Sequence, residues 1–336
     1  MNLNIFSIKT FKMSVTLCLC LLFSGIPNFA RGESSAKFAA ISLENKKVMI
    51  LGDSITKAGT YVSYIEYYLQ KQNPDKKYDI ISIGLSSETV SGLSENDHPF
   101  PRPCVHERLE RALDKIKPDI VAACYGMNDG IYHPQSSERM EAFQKGIYKL
   151  IEVCKGKGVK HVILNTPPPF DPLPVAKKLH KDDASNFGYK HPYFKYAGVL
   201  EDYSDWIMNL KLDSVSSVDF NTALTEYLKK KRKSDKAFKF SNDGVHPSGM
   251  GHLMMAQVFL KGIVSGIKFG ELNAEYKKVH SDPLFRLVSD RRKLRSKGWL
   301  EYVGYTRGKT VRKDSIKDVQ AKAADLQTII EALKNK

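Results

Sequence analysis

A hydroxyl, an amide and a carboxylate–imidazole pair stand in three short segments far apart along the chain. The first segment is Gly52-Asp53-Ser54-Ile55-Thr56, directly behind the apolar run 47–51 (KVMIL). A serine just past a buried strand, with a helix about to begin, is exposed at the strand's carboxyl end, where a helix N-terminus stabilises negative charge. The second is Tyr125-Gly126-Met127-Asn128-Asp129-Gly130, behind 119–124 (DIVAAC). Its flanking glycines let the backbone turn sharply and approach a ligand, and Asn128 can offer its side-chain amide to a developing oxyanion. The third is Asn242-Asp243-Gly244-Val245-His246-Pro247. An aspartate three residues before a histidine can put both side chains on one face of a tight turn. The carboxylate then holds the imidazole in one tautomer while the other nitrogen faces a serine. Taken singly, each segment has a plainer explanation: a capping serine, a glycine-flanked turn, a surface histidine. Their joint appearance favours a nucleophile, its base and an oxyanion donor.

The elements needed to bring them together are legible as a regular alternation. Strand-like runs fall at 47–51, 78–83, 119–124, 160–165 and 216–220, and helical stretches at 61–70, 105–116, 139–155, 200–210, 224–233 and 251–264. Short apolar runs alternating with helices indicate a parallel sheet covered on both faces. Ligands on such sheets bind beyond the carboxyl ends of the strands, which is where Ser54 and Asn128 fall. Two regions depart from the alternation. Segment 167–196 is rich in proline and aromatic residues, including Pro167-Pro168-Pro169 and His191-Pro192, and predicts a loop or lid on the substrate side. Its Tyr189, Tyr193, Phe194 and Tyr196 can stack on sugar rings or pack the insert onto the core. From 271 the chain turns polar and basic, with helices predicted at 284–300 and 317–333 packed on the main domain.

With those residues in place, the chain resembles the SGNH hydrolase superfamily (GDSL-like lipases and acylhydrolases, carbohydrate esterases among them). Gly52-Asp53-Ser54-Ile55 is similar to its first block, Gly126-Met127-Asn128-Asp129 to its third and Asp243-Gly244-Val245-His246 to its last. The resemblance covers 47–264. It implies a flavodoxin-like three-layer α/β/α sandwich with a central parallel sheet, here followed by a C-terminal helical extension. It also implies ester hydrolysis through an acyl-enzyme, with Ser54, Asp243 and His246 catalytic. The oxyanion hole would be formed by the Ser54 N–H, Asn128 and a backbone N–H from the second block. That block usually carries a glycine; aligning 82–89 puts Ser87 in its place, which a backbone donor tolerates if its φ and ψ suit.

Composition bounds the remaining choices. The 336 residues are 42% hydrophobic and 26% charged, ordinary for a globular chain, but the formal net charge is +15. The lysines lie mostly on helices without interleaved aromatic residues, so no nucleic-acid partner is expected. Lys9 and Lys12 precede the apolar run 13–23, too short for a stable membrane anchor, and 1–32 reads as a signal peptide of an exported (periplasmic or extracellular) protein. The expected domains are 40–268 for the hydrolase and 269–336 for the extension. Cys104, Cys124 and Cys154 lie beyond the signal and form no visible disulfide framework, and Cys124 reads as a small buried hydrophobe. His98, His106 and His133 read as loop or surface residues. There is no HExxH, no paired Cys/His pattern, no GxSxG and no GxGxxG after the first strand, so neither metal nor cofactor is called for. The expected substrate is a small-molecule or polysaccharide ester, with O-acetylated carbohydrate preferred. Lipid or other acyl esters, and a non-catalytic glycan-binding protein, stand as alternatives.

Overall fold

Five strands alternate with helices to build one parallel sheet, in the computed structural model that describes residues 40–334. The strands are β1 (Lys47–Gly52), β2 (Asp79–Ser82), β3 (Ile120–Cys124), β4 (His161–Asn165) and β5 (Val215–Val218), in the order β2-β1-β3-β4-β5. That is the flavodoxin-like order, in which the chain reverses direction across the sheet between β1 and β3. The expected signal segment lies outside the described residues.

Burial follows from covering both faces. β3 is buried at every position, and β1 at all but its first. Helices α1 (Ser54–Ala58) and α2 (Thr60–Gln72) follow β1; α3 (Leu109–Ile116) and α4 (Ser137–Gly156) flank β3. Helix α3 buries Leu109, Ala112, Leu113 and Ile116, a single stripe at helical spacing. Helix α4 starts where Ser136 accepts a hydrogen bond from the Arg139 N–H. Helix α5 (Tyr196–Asn209) precedes β5, and α6 (Phe220–Ser234) and α7 (Gly249–Ile263) follow it, with α7 packed on α2. Among the described residues no helix is long and apolar enough to cross a membrane.

The C-terminal segment contains more than the two predicted helices. It forms α8 (Leu272–Ser281), α9 (Pro283–Val303), the antiparallel hairpin β6 (Tyr305–Arg307) and β7 (Lys309–Val311), and α10 (Lys317–Lys334). Helix α9 lies along the edge strand β2: Arg295 donates to the Ile80 carbonyl at 2.9 Å and the Ser296 and Ser82 hydroxyls meet at 2.6 Å. An unpaired strand edge is thereby covered. From α2, Tyr67 donates to Asp282 (2.9 Å) and Tyr68 to Glu275 (2.7 Å), while Tyr64 meets His280 at 2.7 Å.

Segment 167–196 runs as a loop, with one 3-10 turn at Leu173–Lys178, until α5 begins at Tyr196. The predicted helix at 105–116 breaks after a 3-10 turn, Val105–Glu107. There Arg108 leaves helical geometry and points inward as a wholly buried cation. Cys104, Cys124 and Cys154 are free thiols, Cys124 buried in β3.

Candidate functional site

Register brings the first two segments level. Gly52 at the end of β1 pairs with Cys124 at the end of β3, so Ser54 and Asn128 leave the sheet side by side at its carboxyl edge. Asp53 accepts from the Ile55 N–H at 2.8 Å and caps α1, leaving Ser54 as the helix's first residue, half-buried. Burial pushes the Asp53 carboxyl up to about 7, against the Ile55 hydrogen bond and the nearby His246.

The third segment closes on Ser54 from 192 residues away. One oxygen of Asp243 accepts from the Ser241 hydroxyl (2.8 Å) and from the Val245 and His246 N–H groups (3.0 and 2.9 Å), an Asx-type turn. Its other oxygen accepts from His246 Nδ1 at 2.7 Å. That tautomer leaves Nε2 to accept the Ser54 hydroxyl, also 2.7 Å away. Gly244 makes the turn possible. Its φ is +80°, and a Cβ there would stand 2.7 Å from the Asp171 carbonyl oxygen. Asp171 in turn is gripped by Arg232 through both oxygens (2.8 and 2.9 Å). Hydrogen bonding to Asp243 raises the His246 pKa above its ordinary value, although burial works in the opposite direction. Burial favours the neutral acid of Asp243, but the side-chain and backbone hydrogen bonds of His246 and the Val245 N–H outweigh it and hold the carboxyl below its usual range.

Three N–H donors belong to residues that line the cavity beside Ser54. Ser87 has φ +70°, the left-handed conformation a glycine adopts without cost. Neither its N–H nor that of Ser54 has a hydrogen-bond acceptor among the described residues. Asn128 is almost fully buried; its Nδ2 donates once, to the Glu88 carbonyl at 3.2 Å, and its remaining N–H is left for the cavity. The amide is held in this orientation by Arg102, which donates to Asn128 Oδ1 at 3.0 Å, and by the Tyr132 hydroxyl at 3.3 Å. Arg102 is itself fixed by a two-point pair with buried Glu95, at 2.5 and 2.6 Å.

The second segment is anchored from below. Glu88 pairs with Arg108 through two bonds of 2.7 Å, both side chains fully buried, and accepts from Tyr125 at 2.6 Å. Asp129 accepts from the Val90 and Ser91 N–H groups and from that of Gly126, each at 2.8 Å. It thus ties the second segment to the loop that follows β2.

All the sequence-predicted residues, Ser54, Ser87, Asn128, Asp243 and His246, line one cavity of about 590 Å³. A larger cavity of about 800 Å³, between α10 and the first residues of β1 and β2, has none of them; chemistry, not volume, locates the site. Arg102, Phe100 and Arg307 also line it and carried no sequence signal, because the contacts that place them are long-range. His98, read from sequence as a loop or surface residue, stands in a loop that forms part of the same wall. Of Tyr189, Tyr193, Phe194 and Tyr196, Tyr189 reaches the cavity, and Phe170 of the same insert lines it too. Tyr196 is fully buried with its hydroxyl on the Met127 carbonyl, Tyr193 is buried as well, and Phe194 lies under Lys195.

Residues 50–254, more than half of the chain, match the GDSL-like Lipase/Acylhydrolase family. The chain belongs to that family. Like other GDSL-like acylhydrolases it is an ester hydrolase, and its α/β sheet is of the SGNH type. An acetylxylan esterase from Geobacillus stearothermophilus is 23% identical over 233 residues, 65% of this chain and 94% of the relative. A solved acetylxylan esterase from the same organism covers 68% of this chain and 96% of its own, at 23% identity and a TM-score of 0.45. A gut microbial diltiazem-metabolizing enzyme matches at 20% identity and TM-score 0.50; it covers 68% of this chain, which spans about half (48%) of that one. The family match ends at 254, so this GDSL-like enzyme's hairpin and the helices around it lie beyond the common domain.

Proposed function

We propose that this protein is an exported serine esterase that removes O-acetyl groups from carbohydrate through an acyl-enzyme. His246 takes the proton from the Ser54 hydroxyl, and the oxygen attacks the ester carbonyl. The oxyanion is met by the Ser54 and Ser87 N–H groups and the free N–H of Asn128. Asp243 orients His246 and stabilises its cation, which then protonates the leaving alcohol; water repeats the sequence on the acetyl-serine. The observation that carries this reading is the unbroken chain Ser54–His246–Asp243, two contacts of 2.7 Å opening on a cavity.

Carbohydrate is favoured over lipid by the cavity wall. Tyr189, 38% exposed, offers a ring face, and no acyl-length apolar tunnel is needed for acetate. The acetylxylan esterase named above acts in the same direction by analogy. Export rests on the apolar run 13–23 behind Lys9 and Lys12. The test is hydrolysis of 4-nitrophenyl acetate and release of acetate from acetylated xylan. Ser54→Ala should abolish both, together with labelling by a serine-directed phosphonate. Asn128→Ala should cut kcat by roughly a hundredfold while the protein stays folded. Labelling that persists in Ser54→Ala would overturn the nucleophile.

A further inference from the structure

Among the residues lining the Ser54 cavity the acidic side chain is Asp243, and it is committed to His246. The cations there are Arg102, Arg307 and Lys178. Arg102 is neutralised by Glu95. Arg307 and Lys178 have no carboxylate within ion-pair distance among the described residues. Arg307 comes from the tip of the β6–β7 hairpin, in the segment beyond the family match. Its guanidinium lies 4.8 Å over the Phe100 ring, and its Nε donates to the Ser86 carbonyl at 2.9 Å. These two contacts fix the planar fork against the wall. Among the described residues neither terminal nitrogen has a protein acceptor, and both lie beside the residue preceding Ser87. A positioned, unpaired guanidinium on an aromatic face is suited to a two-point hydrogen bond with a carboxylate, and a second cation in the lining, Lys178, strengthens the field.

We infer that the C-terminal hairpin makes this an esterase for acidic carbohydrate: the acetylated sugar, or its neighbour in the chain, carries a carboxylate that Arg307 binds, with Lys178 adding charge. This rests on the esterase reading given above. The recognition is noncovalent, and the ester chemistry at Ser54 is unchanged by it. Arg307 also steadies the Ser86 carbonyl, so a purely structural role has to be separated from recognition. A structural role alters turnover of every ester alike. Recognition alters the ratio between acidic and neutral ones.

The experiment compares kcat/KM for an O-acetylated uronic-acid oligosaccharide, the same oligosaccharide with its carboxylates methyl-esterified, and an acetylated neutral xylo-oligosaccharide of equal length. The wild type should favour the acidic substrate by about tenfold or more, the usual worth of a charge-assisted hydrogen bond. The difference should lie mainly in KM and shrink with added salt. Arg307→Met, which keeps an aliphatic stem on Phe100, should collapse that ratio, and Lys178→Met should reduce it less. Equal kcat/KM for the three substrates in the wild type, or a ratio that survives in Arg307→Met, overturns the inference. Calorimetric binding of the same oligosaccharides to Ser54→Ala reads recognition without turnover. Tighter binding of the acidic one, lost in the Ser54→Ala/Arg307→Met double variant, with no hydrolysis of any ester by the wild type, would sink the esterase reading and leave the carboxylate site standing.

Discussion

At the scale of single residues, two groups near Ser54 have pKa values displaced upward, and they can be told apart. His246 must be neutral to accept the serine proton, and its hydrogen bond to Asp243 raises its pKa above the ordinary 6.5. Activity should therefore fall as pH drops through that raised value. Asp53 is held up to about 7 by burial, and its hydrogen bond from Ile55 can equally be accepted by an amide oxygen. In kcat/KM profiles measured from pH 5 to 9, Asp243→Asn should lower activity and move the acid limb downward. Asp53→Asn should move it less, because the Asp53 charge raises the His246 pKa by less than the hydrogen bond and charge of Asp243 do. A limb that moves further in Asp53→Asn than in Asp243→Asn would assign it to the wrong group. Ser87 offers a second test, because a non-glycine residue at φ +70° costs about 1 kcal/mol or somewhat more. Ser87→Gly should raise stability to chemical denaturation by about that much and retain turnover, since the donor is backbone. Loss of turnover with retained folding would instead show that the serine hydroxyl has a part in the reaction.

At the scale of elements, the sheet was legible because β1, β3 and β4 carry continuous apolar runs and β2 and β5 (VSSV) keep the alternation with helices, and Ser54 and Asn128 were legible because they follow two such runs. The third segment was legible only as a local turn; that it reaches Ser54 depends on Asp171, Arg232 and Gly244, residues of three different elements. The support of Asn128 was not legible. Arg102 and Glu95 lie in a long loop without periodicity, and their pairing emerges only once that loop crosses the sheet's edge. The hairpin was missed because its strands are three residues each, half-buried at most and largely polar, below what alternation can reveal. Close approach is likewise a property of the assembled elements. A Cβ on Gly84 would stand 2.3 Å from the Lys57 backbone nitrogen and 2.5 Å from the Thr56 carbonyl carbon, inside α1. Backbone cannot yield as a flexible side chain would, so Gly84→Ala must displace the helix that begins at Ser54. The expected outcome is about 1–3 kcal/mol of lost stability in a denaturant titration. A larger proportional fall in kcat than in KM should accompany it. Unchanged stability would show that the loop after β2 and helix α1 are less tightly apposed.

At the scale of the whole molecule, the basic C-terminal segment is part of the core rather than an attachment to it. Tyr64 stacks on Phe285 with ring centres 4.7 Å apart, and Tyr67 and Tyr68 are as deeply buried, with their hydroxyls on Asp282 and Glu275. Arg291 of α9 pairs with Glu66, whose side chain is 1% exposed. Arg292 donates to the Ala58 carbonyl at 2.9 Å, at the end of the helix that Ser54 begins. Removing 269–336 would expose these aromatic side chains, each worth about 1.5–3 kcal/mol when buried. It would also strip Glu66 of its partner, a loss of about 3–5 kcal/mol for a buried pair. Together with the uncovered β2 edge, that is comparable to the entire stability of an ordinary domain, about 5–15 kcal/mol. A chain ending at 268 should therefore be insoluble, or soluble without cooperative thermal unfolding, and inactive on 4-nitrophenyl acetate. A soluble 1–268 protein that melts cooperatively near the full-length temperature would refute this, and would make the extension separable from the fold it covers.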